Sequence, residues 1–290
     1  MKALLRSVLV LVLSVCVFAC TEVPPYINYS PDVVLKKDTC YVVAEVPDAQ
    51  PRNAMVEDVS GVRCVNCPEA ADIAHSIDLK YPGRVVVATL HPKSNATLTT
   101  AIGNDTFNTD EAENIFQTLI KGDQGLPTGS INRRHFQGEP RIAVKPNKWM
   151  TYAEEILSET SLVNIELEAS VDSVNRVIEL DVKTAFIEDD PTPAYLTIMV
   201  LESGIVQPQA KKSGVDDTYE HEDILRFTHT NYSGLLLSDS PIKGQVCEKT
   251  FDISIPEKHD LDHITIAVLV NKVDADNTEV LQCTEVDLSE

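Results

Sequence analysis

Apolar residues along this chain keep three spacings in turn: a continuous run at the start, alternating strand-like and helix-like blocks in the first half, and a period of two in the second half. In the first half, Cys40-Tyr41-Val42-Val43-Ala44 predicts a strand over 38–46, and residues 55–59 predict a second, shorter one. The period then changes. Ala70, Ile73, Ala74 and Ile77 fall on one helical face. Pro68 suits the first turn, where its missing N–H costs nothing, and Glu69 complements the positive helix end. Pro82-Gly83 ends the helix. Val85-Val86-Val87-Ala88-Thr89-Leu90 is a continuous apolar run between turn signals, the pattern of a strand buried on both faces. Asp110-Glu111-Ala112-Glu113 has the form of a capping box. Behind it Ala112, Ile115, Phe116, Leu119 and Ile120 keep helical spacing up to a stop at Gly122. Residues 129–134 predict another strand and 149–158 a closing helix. This alternation of strand and helix predicts α/β crossover units.

From residue 163 the pattern is strand-like throughout. Residues 164–169 and 176–182 alternate polar and apolar, and 195–201, 251–255, 264–270 and 280–286 follow. Period-two strands separated by Asp-, Pro- and Gly-rich turns predict an antiparallel β-sandwich of the immunoglobulin kind. The expected fold class is therefore α/β plus all-β, with a boundary near residue 160. Residues 207–234 form a long polar stretch holding Tyr219-Glu220-His221 and Ile224-Leu225-Arg226, and read as a loop. His221 with Glu220, Glu222 and Asp223 reads as a solvated acidic face, with metal ligation as the alternative.

The opening run changes the picture of where the protein resides. Lys2 and Arg6 precede an apolar core over 8–18 that is too short to span a bilayer but suits an export signal. It ends in Val17-Phe18-Ala19-Cys20, which resembles the bacterial lipobox, so Cys20 is expected to carry lipid and become the mature N-terminus. Ordinary signal cleavage stays open, because Phe18 is unusual there. Acyl chains hold a protein to a membrane by burying methylenes, each worth about 0.8 kcal/mol. The expected organisation is signal peptide 1–19, tether 20–36, first domain 37–160 and sandwich 161–290.

Formal net charge is -21, from Asp+Glu 45 against Lys+Arg 24. Loss of Lys2 and Arg6 with the signal gives -21 - 2 = -23. No basic footprint for a nucleic acid is present. The chain also lacks G-x-S-x-G, a Walker loop and H-E-x-x-H, and no cofactor or metal is expected. Of the seven cysteines, Cys16 and Cys20 belong to the leader and lipid site. Export favours disulfides. Cys64 and Cys67 form one local pair, Cys247–Cys283 is the expected second, and Cys40 is left over.

Chemistry concentrates in Gly61-Val62-Arg63-Cys64-Val65-Asn66-Cys67-Pro68. A thiol at a helix N-terminus is stabilised as thiolate by unpaired N–H groups and the helix dipole. Thioredoxins add a cis-proline beside the dithiol, and Leu126-Pro127-Thr128 resembles that motif. Asp58, six residues before Cys64, stands where thioredoxins carry a buried carboxylate; a solvated turn residue is the alternative. The first domain thus resembles thioredoxin over about 120 residues. Three readings of the pair stay open: a reactive dithiol, an inert structural disulfide, and half of a zinc site completed by His75 and His91. Arg63 replaces the aromatic residue usual before the first cysteine, and its charge can lower a thiol pKa.

Taken together, Glu57-Asp58, the dithiol octapeptide, Pro127-Thr128-Gly129-Ser130-Ile131-Asn132-Arg133, Leu201-Glu202-Ser203-Gly204-Ile205-Val206-Gln207, Tyr219-Glu220-His221 and Ile224-Leu225-Arg226 resemble the outer membrane protein 28 family. That resemblance implies an outer-membrane lipoprotein exposed at the cell surface, a surface antigen of adhesin type. Its partner would be a host or cell-surface protein. The alternative is a lipid-anchored thiol–disulfide oxidoreductase with Cys64 as nucleophile, Cys67 as resolving thiol and Pro127 shaping the substrate groove.

Overall fold

The computed structural model describes residues 33–122 and 125–288. The signal peptide 1–19, Cys20 and most of the 20–36 tether lie outside the described residues. Among the described residues no helix is long and apolar enough to cross a membrane.

Strands β2 (Ala54–Val59) and β3 (Val85–Leu90) run parallel, and every residue in both is buried. The intervening helix α1 (Cys67–Lys80) turns Ala70, Ala74 and Ile77 onto them. Strand β4 (Thr128–Ile131) pairs antiparallel with β2 on its other side, and Val144 bridges to Gly129 beyond it. Helix α4 (Trp149–Leu157) joins α1 on one sheet face, burying Trp149, Ala153 and Ile156 against Val56, Val87 and Ile131. Between them lie a one-turn helix α2 (Ala96–Thr99) and α3 (Asp110–Asn114), which continues as a π-helical turn over Ile115–Leu119. The cap of α3 is Thr109, whose side chain accepts from Ala112 N at 3.0 Å. The N-cap therefore sits one residue earlier than the acidic pattern suggests, and with Ala112 at the third helical position there is no reciprocal capping box. Glu113 is free to accept from Ser94 N instead.

In the second half, β5 (Val163–Asp172), β6 (Val177–Phe186) and β14 (Gln245–Ser254) form an antiparallel sheet. It faces β7 (Ala194–Glu202), β13 (Leu235–Ser238), β15 (Ile264–Asn271) and β16 (Val280–Asp287). Alternate residues from both sheets interdigitate between them, Ile178, Leu180 and Phe251 meeting Ile198, Val200 and Ile266. This is β-sandwich packing, as the period-two pattern predicts.

Two findings depart from the sequence reading. The first strand, β1 (Leu35–Val42), belongs to the sandwich. It runs antiparallel to β14 as the edge of a four-stranded sheet ordered β1-β14-β6-β5, not with the first domain. That register places Cys40 opposite Cys247, with Cα atoms 4.1 Å apart, and the two form a disulfide. The expected Cys247–Cys283 bridge is therefore wrong. Cys283 lies in β16 on the other sheet, a free and buried thiol, with the Cys247 side chain aimed into a different core.

The second departure lies within the stretch read as a loop. Ile224–Thr228 forms strand β12, antiparallel to β7 and parallel to β3, where Ile224 pairs with Thr89. Strands from both sides of residue 160 thus join one eight-stranded sheet, ordered β16-β15-β7-β12-β3-β2-β4 with β13 branching from β7. The sheet curls until its ends meet. Asn132, just past β4, accepts from Val280 N at 2.8 Å, and its side-chain amide donates to Val280 O and Asn53 O while Oδ1 accepts from Met55 N. Inside the curl, Met55, Val86 and Leu90 pack with Met199, Leu201, Leu269 and Cys283 under Ile115 and Phe116.

A buried ion pair sits at this junction. Arg133 donates to both Glu57 oxygens at 2.7–3.1 Å, Ser130 Oγ donates to the same carboxylate at 2.6 Å, and both charged side chains are fully buried. Removing one partner of such a pair strands the other charge in a low-dielectric interior. Arg133→Met is expected to lower the unfolding free energy by about 3–5 kcal/mol, and Glu57→Gln with Arg133→Met to recover part of that in chemical denaturation. A single variant as stable as the parent would show that the pair carries no weight at the junction.

Candidate functional site

The dithiol forms where β2 gives way to α1. Cys64 N donates to Gly61 O at 3.0 Å and Cys67 N to Cys64 O at 3.2 Å, a tight turn whose two sulfurs are bonded as a disulfide. Cys67 is the first residue of α1, and Pro68 occupies its first turn. Gly61 has no room for a side chain, because a Cβ there would lie 2.6 Å from Leu98 O. Below the turn Val62 packs on Phe107 and Ile224, so the dithiol loop rests on both halves of the molecule. Arg63 does not lean over the sulfurs: its guanidinium donates to Thr100 O and Ala101 O at 2.9 and 2.8 Å. Because Cys64 and Cys67 are bonded to each other, neither is available as a zinc thiolate.

A hairpin from the second half covers this turn. It consists of β9 (Gln209–Lys211) and β10 (Gly214–Asp216). Gln209, 2% exposed, donates its side-chain amide to Gly61 O at 3.3 Å and Cys64 O at 3.1 Å, and Ala210 N donates to Val62 O at 2.8 Å. Lys212 adds an exposed ion pair to Glu69 of α1 at 2.5 Å. Under this cover Cys64 is 2% exposed and Cys67 1%.

Alternation along β2 and β3 places Asp58 relative to the dithiol. Ala54 and Val56 pack toward α1 while Met55 and Val59 face the other core, so Asp58 lies on the α1 side, in register with Thr89. It is fully buried, and neither carboxylate oxygen has a hydrogen-bond partner among the described residues. Burial alone pushes its pKa up to about 8. The solvated-turn alternative is excluded. The Leu126–Pro127 bond is cis. With Thr128, the first residue of β4, opposite Val59, Pro127 leads into β4 beside the segment running to the dithiol.

A cavity of about 620 Å³ opens next to Cys67, between α1 and the chain from Gln209 to Ile224. Cys67, Pro68, Asp72, His75 and Asp78 form its α1 wall, and Thr89 and His91 its floor. The far wall carries Lys211, Tyr219, Glu222, Asp223 and the inward-facing His221 of β11 (Glu220–His221), which pairs with β8 (Ile205–Val206). Rings form a contiguous row, with centroids 5.3 Å apart for His91 and Phe107, 4.7 Å for Phe107 and His221, and 4.7 Å for His221 and Tyr219. Burial lowers the pKa of His91 to about 3 and of His221 to about 4, so both are neutral imidazoles at neutral pH. Burial and the nearby Glu222 raise Asp223 to about 7.

Of the residues singled out in the sequence, Cys67, His221 and Asp223 line one cavity, with Cys64 bonded to Cys67, while Asp58 lies on β2 and Pro127 just before β4. Among the described residues no group of three or more His, Cys, Asp or Glu side chains is arranged to hold a metal ion. Glu202 and Arg226 serve the framework: Glu202 pairs with His259 at 2.8 Å and with Arg226 at 3.3 Å, and Arg226 reaches Asp105 at 2.7 Å. The missed residue is Gln209. Its only sequence signal is a polar residue with no surface role, inside a stretch that reads as loop.

Asp58 gives the site a pH signature. Its folded pKa is raised from 3.8 to about 8, so its contribution to stability is complete below the unfolded pKa and is lost as pH rises through the folded one. The expected loss approaches about 1.4 kcal/mol per pH unit between about 4 and 8. Asp58→Asn is expected to flatten the pH–stability profile in that window and to be more stable than the parent at pH 8. Parallel profiles for the two proteins would contradict a buried, unpartnered carboxyl.

Comparison with solved structures shows a shared fold. HBP35 of Porphyromonas gingivalis superposes with a TM-score of 0.64 at 17% identity, over 83% of this chain and 76% of that one. Protein AGR_C_4864 from Agrobacterium tumefaciens superposes with a TM-score of 0.53 at 12% identity, over 83% and 97%. No curated protein matches the sequence. The family described as Outer membrane protein Omp28 matches residues 114–290, more than half of the chain, including the hairpin over the dithiol and the far wall of the cavity. This chain belongs to the Omp28 outer membrane protein family.

Proposed function

We propose that this protein is a lipid-anchored outer-membrane protein exposed at the cell surface, a surface antigen of adhesin type that binds a host or cell-surface protein. In this reading a thioredoxin-like core and an immunoglobulin-like sandwich form one binding scaffold. Cys20 supplies the anchor, and the cavity beside α1 supplies the binding site. The observation that carries the reading is the seal on the dithiol. Thiol–disulfide exchange needs a thiolate that a substrate sulfur can approach. Cys64, the sulfur that would attack, is 2% exposed beneath Gln209 and Ala210. The disulfide then acts as a staple, holding the α1 N-terminus and the cavity wall that includes Cys67.

A second reading, a lipid-anchored thiol–disulfide oxidoreductase, is favoured by one observation. Asp58 lies unpartnered on the sheet face beneath α1 with its pKa near 8, which suits a proton acceptor for the resolving thiol Cys67. Cys64 would be the nucleophile, and Pro127 would shape the groove.

Brief protease treatment of intact cells is expected to release fragments of the protein, and Cys67→Ser, which leaves Cys64 without a resolving partner, is expected to trap no mixed disulfides. Full protection of the protein in intact cells would rule out a surface role. Abundant trapped adducts would favour the oxidoreductase.

A further inference from the structure

Strand β1 makes little apolar contact with the sandwich it belongs to. Lys36 to Val42 are all exposed, and Leu35, with Val33 before it, is the part that packs against the core. The backbone of β1 pairs with β14 on one side, and its other side is a sheet edge among the described residues. Its side chains are held by ion pairs and a hydrogen bond: Lys36 with Glu179 and Asp252 at 2.5 and 2.7 Å, Lys37 with Glu248, Asp38 with Lys249, and Tyr41 Oη donating to Glu248 at 2.8 Å. Each ion pair has an exposed partner, and pairs of this kind contribute little and are screened by salt.

The Cys40–Cys247 disulfide is the one covalent bond between β1 and β14, and its two ends differ. Cys247 is 1% exposed, in the sandwich core, whereas Cys40 is exposed on the edge strand. A thiol therefore has an approach to the Cys40 sulfur that the Cys64–Cys67 pair, buried under its hairpin, does not offer. The leaving sulfur is also provided for: Gln245 Nε2 lies 3.8 Å from Cys247 Sγ as a donor, and Leu237 O lies 3.9 Å away as an acceptor for the thiol proton. Beyond β1, Val43 N donates to Gly244 O at 2.9 Å. The chain is then fixed independently by Asn164 of β5, which donates to Asp48 O and accepts from Gln50 N, both at 2.8 Å. A detachment that starts at β1 thus stops at Asp48.

We propose that Cys40–Cys247 is a thiol-responsive clasp: a low-molecular-weight thiol opens it at Cys40, β1 detaches from β14, and residues 33–47 pass from the sandwich to the segment that leads back to Cys20. Exposed disulfides are the ones most open to such exchange. A thiolate attacks Cys40 Sγ, the S–S bond breaks, and a mixed disulfide forms on Cys40. The electron pair leaves on Cys247 Sγ, which takes up a proton. A second thiolate attacks the outer sulfur of the mixed disulfide and releases Cys40 as a thiol. Two small thiols are oxidised to one disulfide as the protein disulfide is reduced to two thiols. The released segment adds about 50 Å of reach when extended, and β14 is left with an unpaired edge. The gain in reach rests on Cys20 being the anchor proposed above; the clasp does not.

The test is incubation of the oxidised full chain in detergent with increasing reduced glutathione, quenched by alkylation and read by peptide mass spectrometry. Cys40 and Cys247 are expected to become alkylated at a thiol concentration about tenfold below that needed for Cys64 and Cys67, with any glutathione adduct on Cys40. Hydrogen exchange on the sample reduced at Cys40–Cys247 is expected to be about tenfold faster over residues 35–42, and faster still in added salt, while residues 54–59 and 177–186 stay protected. Cys40→Ser with Cys247→Ala is expected to show the same fast exchange over 35–42 without any thiol. Reduction of both disulfides together, or of Cys64–Cys67 first, overturns the proposal. Unchanged exchange over 35–42 after reduction overturns it as well, because β1 then holds without the bond. Exchange that spreads through β6 and β15 does the same, because the bond is then a staple of the whole sandwich. None of these readouts involves the cell surface: full protection of the protein in intact cells removes the surface role and leaves the clasp, and an overturned clasp leaves the surface role.

Discussion

The site depends on one seam. Strand β12 lies parallel to β3, with Ile224 opposite Thr89 and Thr89 N donating to Asp223 O at 2.7 Å. β3 is apolar along its whole length, and its free edge would expose unpaired backbone groups. Satisfying that edge with a strand from the second half brings the chain before β12 across the dithiol. Gln209 then reaches the Cys64 carbonyl, His221 meets Phe107, and Asp223 closes the cavity against α1. Without the seam the dithiol loop would face solvent, and the cavity would have a floor and one wall.

Several residues that look chemical in the sequence hold this arrangement in place. Glu57 and Arg133 neutralise one another inside the fold, and Asn132 joins β16 to the β2–β4 end of the curled sheet. Glu202, Arg226 and His259 form a compact charged group near the end of β7, with the Arg226 guanidinium 5.5 Å from the Phe107 ring centroid. Asp58 differs from these because no described residue pairs with it, which singles it out from Glu57 and Glu202.

Local elements were largely legible in the sequence, because burial imposes a period wherever a segment packs on one or both faces. α1, β3, α4 and most of the long sandwich strands follow their apolar spacing to within a few residues, while β14 begins six residues before the expected segment at 251. Long-range pairing was not legible. Cys40 sits on a strand whose neighbours are exposed and charged, so nothing local ties it to Cys247. β12 is five residues long and interrupted by Arg226, whose charge is satisfied only through Glu202 and Asp105, far away in sequence. The same limit applies to the site. Cys64, Cys67 and Asp58 are set by the local strand–turn–helix pattern and Pro127 by its own Leu126-Pro127-Thr128 context, whereas Gln209 gains its role only from the seam.

The central claim is that the cover from the second half keeps the Cys64–Cys67 pair as a structural staple. Its most direct test is the reduction potential of the Cys64–Cys67 pair in the folded protein, from equilibration with defined thiol–disulfide buffers. A buried staple is expected to lie below about −300 mV. A value between about −270 and −120 mV, where exchange-active dithiols fall, would contradict the claim.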